Sequence, residues 1–157
     1  MSTVKDYMMR TLNSVCADDT IEHVIEFMYK TEMTVFPVVD ETNKFLGTLY
    51  SKKILKNIIP EQYGFMESHR ILYEINQAAE NMGEIKNRKV KDYMTTSITA
   101  VKETEDMNNL AHIMLSNDEQ YLFVTNKQNK LRGYISRADL LYYLLKVSQG
   151  EDFKNGN

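Results

Sequence analysis

Cysteine is nearly absent from this 157-residue sequence, which contains a single copy, Cys16. One cysteine excludes an intramolecular disulfide and any metal site built from several cysteines. Cys16 stands in an apolar stretch, a setting that favours a small buried hydrophobic residue over a reactive thiol. We therefore expect Cys16 to be a packing residue.

Long hydrophobic runs are also missing. No stretch approaches the roughly 18 consecutive apolar residues that a membrane-spanning helix needs. The first residues, Met1 to Asp6, do not combine a positively charged segment with an apolar one, as a secretory leader would. These absences predict a cytoplasmic protein.

The sequence carries no strong excess of charge of one sign. Its formal net charge is −3 and its pI is about 5.6, which leaves no broad electropositive surface for nucleic acid. One short basic cluster interrupts this balance, formed by Lys86, Arg88, Lys89 and Lys91. A solvated linker is the favoured interpretation of this cluster, and a polyanion site is the alternative.

The motifs of common enzyme classes are missing as well. The sequence contains no Gly-x-Ser-x-Gly, no glycine-rich phosphate loop and no recognisable pair of catalytic carboxylates. The three histidines, His23, His69 and His112, are scattered without the spacing of metal ligands. We expect a protein without enzymatic activity, without a metal site and without a required cofactor.

An internal duplication is the main positive feature. Val4-Lys5-Asp6-Tyr7-Met8 recurs unchanged as Val90-Lys91-Asp92-Tyr93-Met94. The same offset, carried forward without a gap, aligns Asn43-Lys44 with Asn129-Lys130 and Gly47 with Gly133. Because internal repeats of this kind define an architecture, we treat each copy as one structural unit.

Each copy predicts the element order β-α-β-β-α, which indicates an α/β (α+β) fold. The apolar stripe Ile21, Val24, Ile25 and Met28 has helical spacing and recurs as Met107, Leu110, Ala111 and Met114. Asp19 with Glu22 resembles a capping box, and Thr104 is the expected N-cap of the second helix. Strands are predicted over 14–16, 35–39 and 45–49 and over 99–101, 121–125 and 131–135, each set followed by a closing helix. One copy alone would be marginal, so we expect two copies to share one core around a pseudo-twofold axis.

The segment between the copies, about residues 60–89, predicts one helix over roughly 62–82. Its apolar positions share one face, and Gly83 is a plausible stop. Packing against this chain's own sheets and a contact between two copies of the chain are both open interpretations of that face.

The segment from Gly133 to Asp139 runs from a strand end into a helix. Free N–H groups at a helix start suit an anion, and an ionised Asp139 can accept hydrogen bonds from two hydroxyls. Together with Ser136, this arrangement describes a ribose-phosphate site. Ser-x-x-Asp is also a helix-capping pattern that needs no ligand, and spacing alone slightly favours that simpler explanation.

The ordered set of motifs resembles a pair of cystathionine-β-synthase (CBS) domains, also called a Bateman module. The motifs are the leading Val-Lys-Asp-Tyr-Met, the segment Phe36-Pro37-Val38-Val39-Asp40 and the stretch from Gly133 to Asp139. The resemblance implies a first CBS repeat at 4–59, a helical connector at 60–89 and a second repeat at 90–147, forming a free-standing module with pseudo-twofold symmetry.

The family resemblance further implies a regulatory role. Members bind adenosine-containing ligands, such as AMP, ADP, ATP or S-adenosylmethionine, in the cleft between the repeats. By this resemblance Asp139 would hold the ribose, Ser136 the ribose or phosphate and Arg137 a phosphate. The base would lie among four further residues, Thr11, Asn13, Met33 and Thr34.

The first repeat departs from the family pattern. Ser136 aligns with Tyr50 and Asp139 with Lys53, and a lysine cannot accept a hydrogen bond from a ribose hydroxyl. Lys52 and Lys53 could contact phosphates, although a solvated helix start is the favoured interpretation. We therefore expect one adenosine-type ligand per chain and a homodimer. A ligand-free scaffold for dimerisation or for an unidentified protein partner is the alternative.

Overall fold

The computed structural model of the protein describes residues 2–10, 13–59, 75–97 and 100–150. The first copy contains the helices and strands α1 (Val4–Tyr7), β1 (Val15–Cys16), α2 (Ile21–Thr31), β2 (Val35–Val39), β3 (Phe45–Tyr50) and α3 (Ser51–Ile58). The connector contributes α4 (Ile75–Ile85), and a short 3-10 helix follows at Val90–Asp92. The second copy contains β4 (Ala100–Lys102), α5 (Met107–Ser116), β5 (Tyr121–Thr125), β6 (Leu131–Ser136) and α6 (Arg137–Ser148).

The strands form two three-stranded sheets with the same topology. Their orders are β1-β2-β3 and β4-β5-β6. In the second sheet β4 pairs parallel to β5, with Val101 opposite Val124, and β5 pairs antiparallel to β6. In the first sheet β1 is parallel to β2. The parallel pair requires the helical crossover, so the predicted β-α-β-β-α order is confirmed in both copies.

The predicted helical stripes face the hydrophobic interior. Ile21 and Val24 are completely buried, as are Met107 and Leu110 in the second copy. In the described residues most of the buried apolar side chains belong to two clusters, one in each compact unit of the chain. The expectation of one core shared by the two copies stays a prediction.

The helix caps differ from the predicted ones. Thr20, not Asp19, is the N-cap of α2, and its hydroxyl accepts a hydrogen bond from the backbone N–H of His23 at 3.1 Å. Asp106, not Thr104, caps α5 and accepts from the N–H of Asn109 at 2.7 Å. The cap position is decided by where the chain leaves extended geometry, which several neighbouring polar residues allow.

The two compact units do not coincide with the sequence repeats. One unit contains 1–13, 41–45 and 98–157, and the other contains 14–40 and 46–97. Each Val-Lys-Asp-Tyr-Met segment therefore packs with the body of the other repeat. Val4 joins the buried cluster that contains Leu110, and Val90 joins the cluster that contains Ile21.

These exchanged segments also extend the sheets at the two repeated glycines. Met9 forms an antiparallel bridge with Tyr134, the residue after Gly133. Thr95 forms the matching bridge with Thr48, the residue after Gly47. The glycines let the backbone of the exchanged segment approach the strand closely.

Two asparagines at matching turn positions of the repeats form reciprocal hydrogen bonds within the compact unit that contains 98–157. Asn43 and Asn129 both have a left-handed backbone, with φ of 68° and 62°. The Asn43 amide donates to the carbonyl of Leu131, and the Asn129 amide donates to the carbonyl of Phe45, both at 3.1 Å. Asparagine tolerates the left-handed conformation better than most residues, which accounts for its presence in both turns.

We expect Asn129→Gly to lower the free energy of unfolding by about 0.5–1.5 kcal/mol, because it removes only the side-chain hydrogen bond. Asn129→Ala should cost more, because alanine also resists a positive φ. Urea unfolding of both variants would test this order. Equal stability of the alanine variant and the unmodified protein would contradict the turn pairing.

The connector helix ends later than predicted. Helix α4 continues through Gly83 to Ile85, so the prediction of Gly83 as a stop is wrong. Ile85 is buried in the cluster that contains Ile21, and this burial favours the longer helix despite the low helix propensity of glycine. Asn81 donates from its side chain to the carbonyl of Ile58, so α4 packs on α3 of its own chain. The part of the predicted helix before residue 75 lies outside the described residues.

Cys16 is exposed, so its expected burial is wrong. It follows Val15 on β1, and successive strand residues point to opposite faces; Val15 occupies the buried one.

The basic cluster is partly neutralised, since Lys89 and Lys91 lie 3.3 Å and 3.5 Å from the carboxylate of Asp18. The hydrogen bond and positive charge of Lys89, helped by Lys91, hold the pKa of Asp18 below its usual value.

Candidate functional site

The start of α6 brings Ser136, Arg137 and Asp139 together at the end of β6. Ser136 is the N-cap, and its hydroxyl accepts from the backbone N–H of Asp139 at 3.2 Å. The Oδ2 atom of Asp139 accepts from the backbone N–H of Ser136 at 2.8 Å and from its hydroxyl at 2.9 Å. The capping box that the sequence offered as the simpler explanation is therefore present.

The Asp139 carboxylate is nonetheless unusual for a capping group. The residue is only 6% exposed, whereas capping acids at helix starts commonly face water. Both hydrogen bonds from Ser136 go to Oδ2, and no described residue donates to Oδ1. Oδ1 can accept a hydrogen bond from a ligand while the cap stays intact.

Arg137, the candidate phosphate contact, is bound to its own unit in the structure. Its Nε donates to the carbonyl of Glu119 at 2.9 Å, and its Nη2 lies 3.0 Å from Oδ1 of Asp118. Neither Glu119 nor Asp118 was predicted from the sequence as a partner of Arg137. The repeat alignment could have pointed to them, because Asp118 and Glu119 align with Glu32 and Met33, and Met33 was a predicted site residue.

The first repeat presents a cavity at the corresponding place. It has a volume of about 630 Å³ and lies beside the last turn of α2 and the start of α3. Met33 and Thr34 line it, as predicted site residues, together with Ser51, which the sequence analysis did not single out. Ser51 stands where the second repeat has Arg137. The remaining lining residues are Met28, Tyr29, Lys30 and Glu32.

The structure shows less about the other predicted contacts. Lys52 and Lys53 are exposed in the first turn of α3, where Tyr50 occupies the N-cap position without a side-chain cap. Asn13 is exposed, and Thr11 lies outside the described residues. Asn13 belongs to the same compact unit as Asp139, whereas Met33, Thr34 and the two lysines belong to the other unit.

Metal sites and membrane-spanning helices can be assessed for the described part of the chain. Within 2–10, 13–59, 75–97 and 100–150, no three histidine, cysteine or acidic side chains come close enough to hold a metal ion. Across those same ranges, every helix is too short or too polar to cross a membrane. His69 lies outside them.

Comparison with known proteins gives one consistent result. The model of the CBS domain matches residues 4–60 and 90–146. The chloroplastic CBS domain-containing protein CBSX1 of Arabidopsis thaliana is 25% identical over 158 residues, which cover 96% of this chain and 67% of that protein.

Solved structures agree in fold. CBSX2 of Arabidopsis thaliana in complex with AMP matches with a TM-score of 0.69 and 19% identity, covering 94% of this chain and 99% of CBSX2. A CBS domain-containing protein of unknown function from Bacillus anthracis matches with a TM-score of 0.75 and 20% identity, covering 93% and 94%. With two copies of the domain in tandem, the chain belongs to the CBS domain family, whose paired domains are regulatory modules.

Proposed function

We propose that this protein is a non-enzymatic sensor that binds one adenosine-type ligand per chain at the start of α6. The observation that carries the proposal is the Asp139 carboxylate, which is buried, engaged through Oδ2 and without a described donor at Oδ1. A carboxylate held this way can accept a hydrogen bond from a ribose hydroxyl without losing its cap. AMP, ADP, ATP and S-adenosylmethionine are the ligand types proposed.

Two further points support an adenosine-type ligand. The backbone N–H groups at a helix start favour an anionic group such as phosphate. In addition, CBSX2, which shares the fold, is known in complex with AMP. On the family resemblance, Ser136 and Arg137 are proposed contacts of ribose and phosphate, and Thr11, Asn13, Met33 and Thr34 are proposed contacts of the base.

The proposed stoichiometry follows from the difference between the repeats. Helix α3 has no acidic residue in its first turn, and Lys53 stands at the position of Asp139. The first-repeat position therefore lacks the acceptor on which the proposal depends. Lys52 and Lys53 stay proposed phosphate contacts, and solvation of these side chains is the simpler alternative.

We expect at least one of AMP, ADP, ATP and S-adenosylmethionine to raise the melting temperature. A ligand at a hundred times its dissociation constant stabilises the native state by about 2.7 kcal/mol. For a domain of this size that corresponds to an increase of about 5–10 °C. Isothermal titration should then give one ligand per chain. A panel without any concentration-dependent shift would contradict the proposal.

A ligand-free scaffold is the second candidate function. The capping box favours it, because capping alone explains why Ser136 and Asp139 occur together. Exposed apolar residues also occur at matching repeat positions, namely Leu55 and Leu141 together with Ile59 and Leu145. Such faces commonly mark interaction surfaces.

We propose that these faces join two copies of the chain in a homodimer, whether or not a ligand binds. Sedimentation of the unmodified protein and of a Leu141→Lys, Leu145→Lys variant would test this. The variant should sediment as a monomer. A monomeric unmodified protein would overturn the homodimer, and a dimer with a flat ligand panel would favour the scaffold.

A further inference from the structure

Arg137, the first residue of α6, forms hydrogen bonds with the loop that precedes β5. The backbone N–H of Arg137 donates to the carbonyl of Gln120 at 2.9 Å. The guanidinium adds two contacts, to the carbonyl of Glu119 and to the carboxylate of Asp118. Arg137 therefore connects this loop to the helix start that carries Asp139, the candidate ribose acceptor.

The two repeats share the backbone contact and differ in the side-chain contacts. In the first repeat Ser51 donates its backbone N–H to the carbonyl of Thr34 at 2.9 Å, the exact counterpart of Arg137 and Gln120. A serine side chain is too short to reach back along the loop as a guanidinium does. The guanidinium contacts are thus an addition specific to the repeat that carries Asp139.

The ion pair between Arg137 and Asp118 is exposed and weak, so a ligand can displace it. The two side chains are 49% and 96% exposed. Exposed ion pairs of this kind contribute only about 0–1 kcal/mol. Asp118 also has a positive φ of 51°, a conformation that is uncommon for residues other than glycine. Little free energy therefore opposes the loss of the contact.

We propose that Asp118 competes with the phosphate of the bound nucleotide for the Arg137 guanidinium, so that phosphate binding releases the Asp118 side chain from Arg137. This inference rests on the proposed function, and it concerns the regulation of the same site. A guanidinium pairs well with a carboxylate or a phosphate, and in the structure its Nη2 donates to Asp118 while its Nε donates to the carbonyl of Glu119. A ligand without phosphate leaves the contact in place.

The competition predicts a difference between AMP and adenosine. Removal of the competitor in Asp118→Asn should tighten AMP binding by about 1.5- to 5-fold, the range that an exposed ion pair supports. Adenosine binding should not change. Asparagine tolerates the left-handed backbone at this position, so the loop keeps its conformation. Titration calorimetry at one fixed ionic strength measures both affinities.

Two further variants isolate the contact. Glu41→Gln removes one exposed negative charge from the same compact unit and should leave the ratio of AMP to adenosine affinity unchanged. In the background of Arg137→Gln, the Asp118→Asn substitution should have no effect on AMP binding, because the shared group is gone. Circular dichroism melts would establish that every variant is folded before titration.

The outcomes separate this inference from the proposed function. Binding of neither AMP nor adenosine would overturn the proposed function and the competition together. Binding of both, with a ratio that Asp118→Asn does not alter, would overturn the competition alone. A change that persists in the Arg137→Gln background would also overturn it, because it would show a general charge effect.

Discussion

We expect Asp139→Ala to lose the rise in melting temperature that a saturating adenosine-type ligand produces, about 5–10 °C at a hundred times the dissociation constant. Alanine has no oxygen to accept a ribose hydroxyl. It also breaks the capping box, because Ser136 loses the acceptor of its backbone N–H and of its hydroxyl. The ligand-free variant should therefore be about 1 kcal/mol less stable than the unmodified protein.

The control for this loss of capping is Asp106→Ala. Asp106 caps α5 in the same compact unit, through a hydrogen bond from the N–H of Asn109, and it is not among the proposed ligand contacts. We expect a similar loss of ligand-free stability, about 1 kcal/mol, with the ligand-induced shift retained. Thermal melts with and without ligand measure both quantities for both variants.

Asp139→Asn distinguishes the two roles of the carboxylate further. Its side-chain oxygen can replace Oδ2 in the capping box, whereas its amide nitrogen cannot accept a hydrogen bond. Ligand-free stability should stay close to that of the unmodified protein while the ligand-induced shift falls. A full shift in both Asp139 variants would refute the ribose role and leave capping as the function of the residue.

The second large effect is expected at Gly133. A Cβ at this position would collide with the carbonyl oxygen of Met9, and the residue has a φ of 154°. Met9 lies there because the exchanged leading segment forms its bridge with Tyr134. Gly133→Ala should therefore lower the free energy of unfolding by about 2–6 kcal/mol, combining overpacking with backbone strain. A loss of this size is a large fraction of the total stability of a typical domain.

Two other glycines give the comparison that makes the measurement decisive. At Gly47 a Cβ would lie 2.7 Å from the carbonyl oxygen of Thr95, so we expect alanine to cost about 1–3 kcal/mol. At Gly83, inside α4, a Cβ would meet no atom within 4 Å. Gly83→Ala should stabilise the protein by about 0.5–1 kcal/mol, because alanine is the better helix former.

Urea unfolding of the three alanine variants tests this order. A Gly133→Ala protein as stable as the Gly83→Ala protein would show that Met9 does not approach β6. If the Gly47 variant were the least stable, the bridge in the first sheet would be the tighter of the two. Either result would contradict the packing described for the exchanged segments.

Much of the fold was predictable because the repeat presented each pattern twice. The spacing of Ile21 and Val24 recurs at Met107 and Leu110, and both pairs are fully buried. Strands β2 and β5 have the bounds that the apolar runs predicted. Periodicity of this kind reflects which side of a local element is apolar, so it depends only on neighbours in the sequence.

Two of the failures concern positions that are decided by packing rather than by local pattern. Gly83 was predicted to end a helix, yet burial of Ile85 in a distant cluster favours continuation. Cys16 was predicted to be buried, yet the register of β1 gives the buried side to Val15. Local propensity is a weak term that tertiary packing overrides.

The sequence by itself determined the duplicated β-α-β-β-α unit, the family and the group of Ser136, Arg137 and Asp139 at one helix start. Only the tertiary structure decided that each leading segment packs with the body of the other repeat and that Arg137 is tied to Asp118. The physical reason is that side-chain patterns specify which face of an element is apolar, whereas the identity of the covering partner depends on long-range packing. Two identical Val-Lys-Asp-Tyr-Met segments contain no information in themselves about which of two similar bodies each one covers.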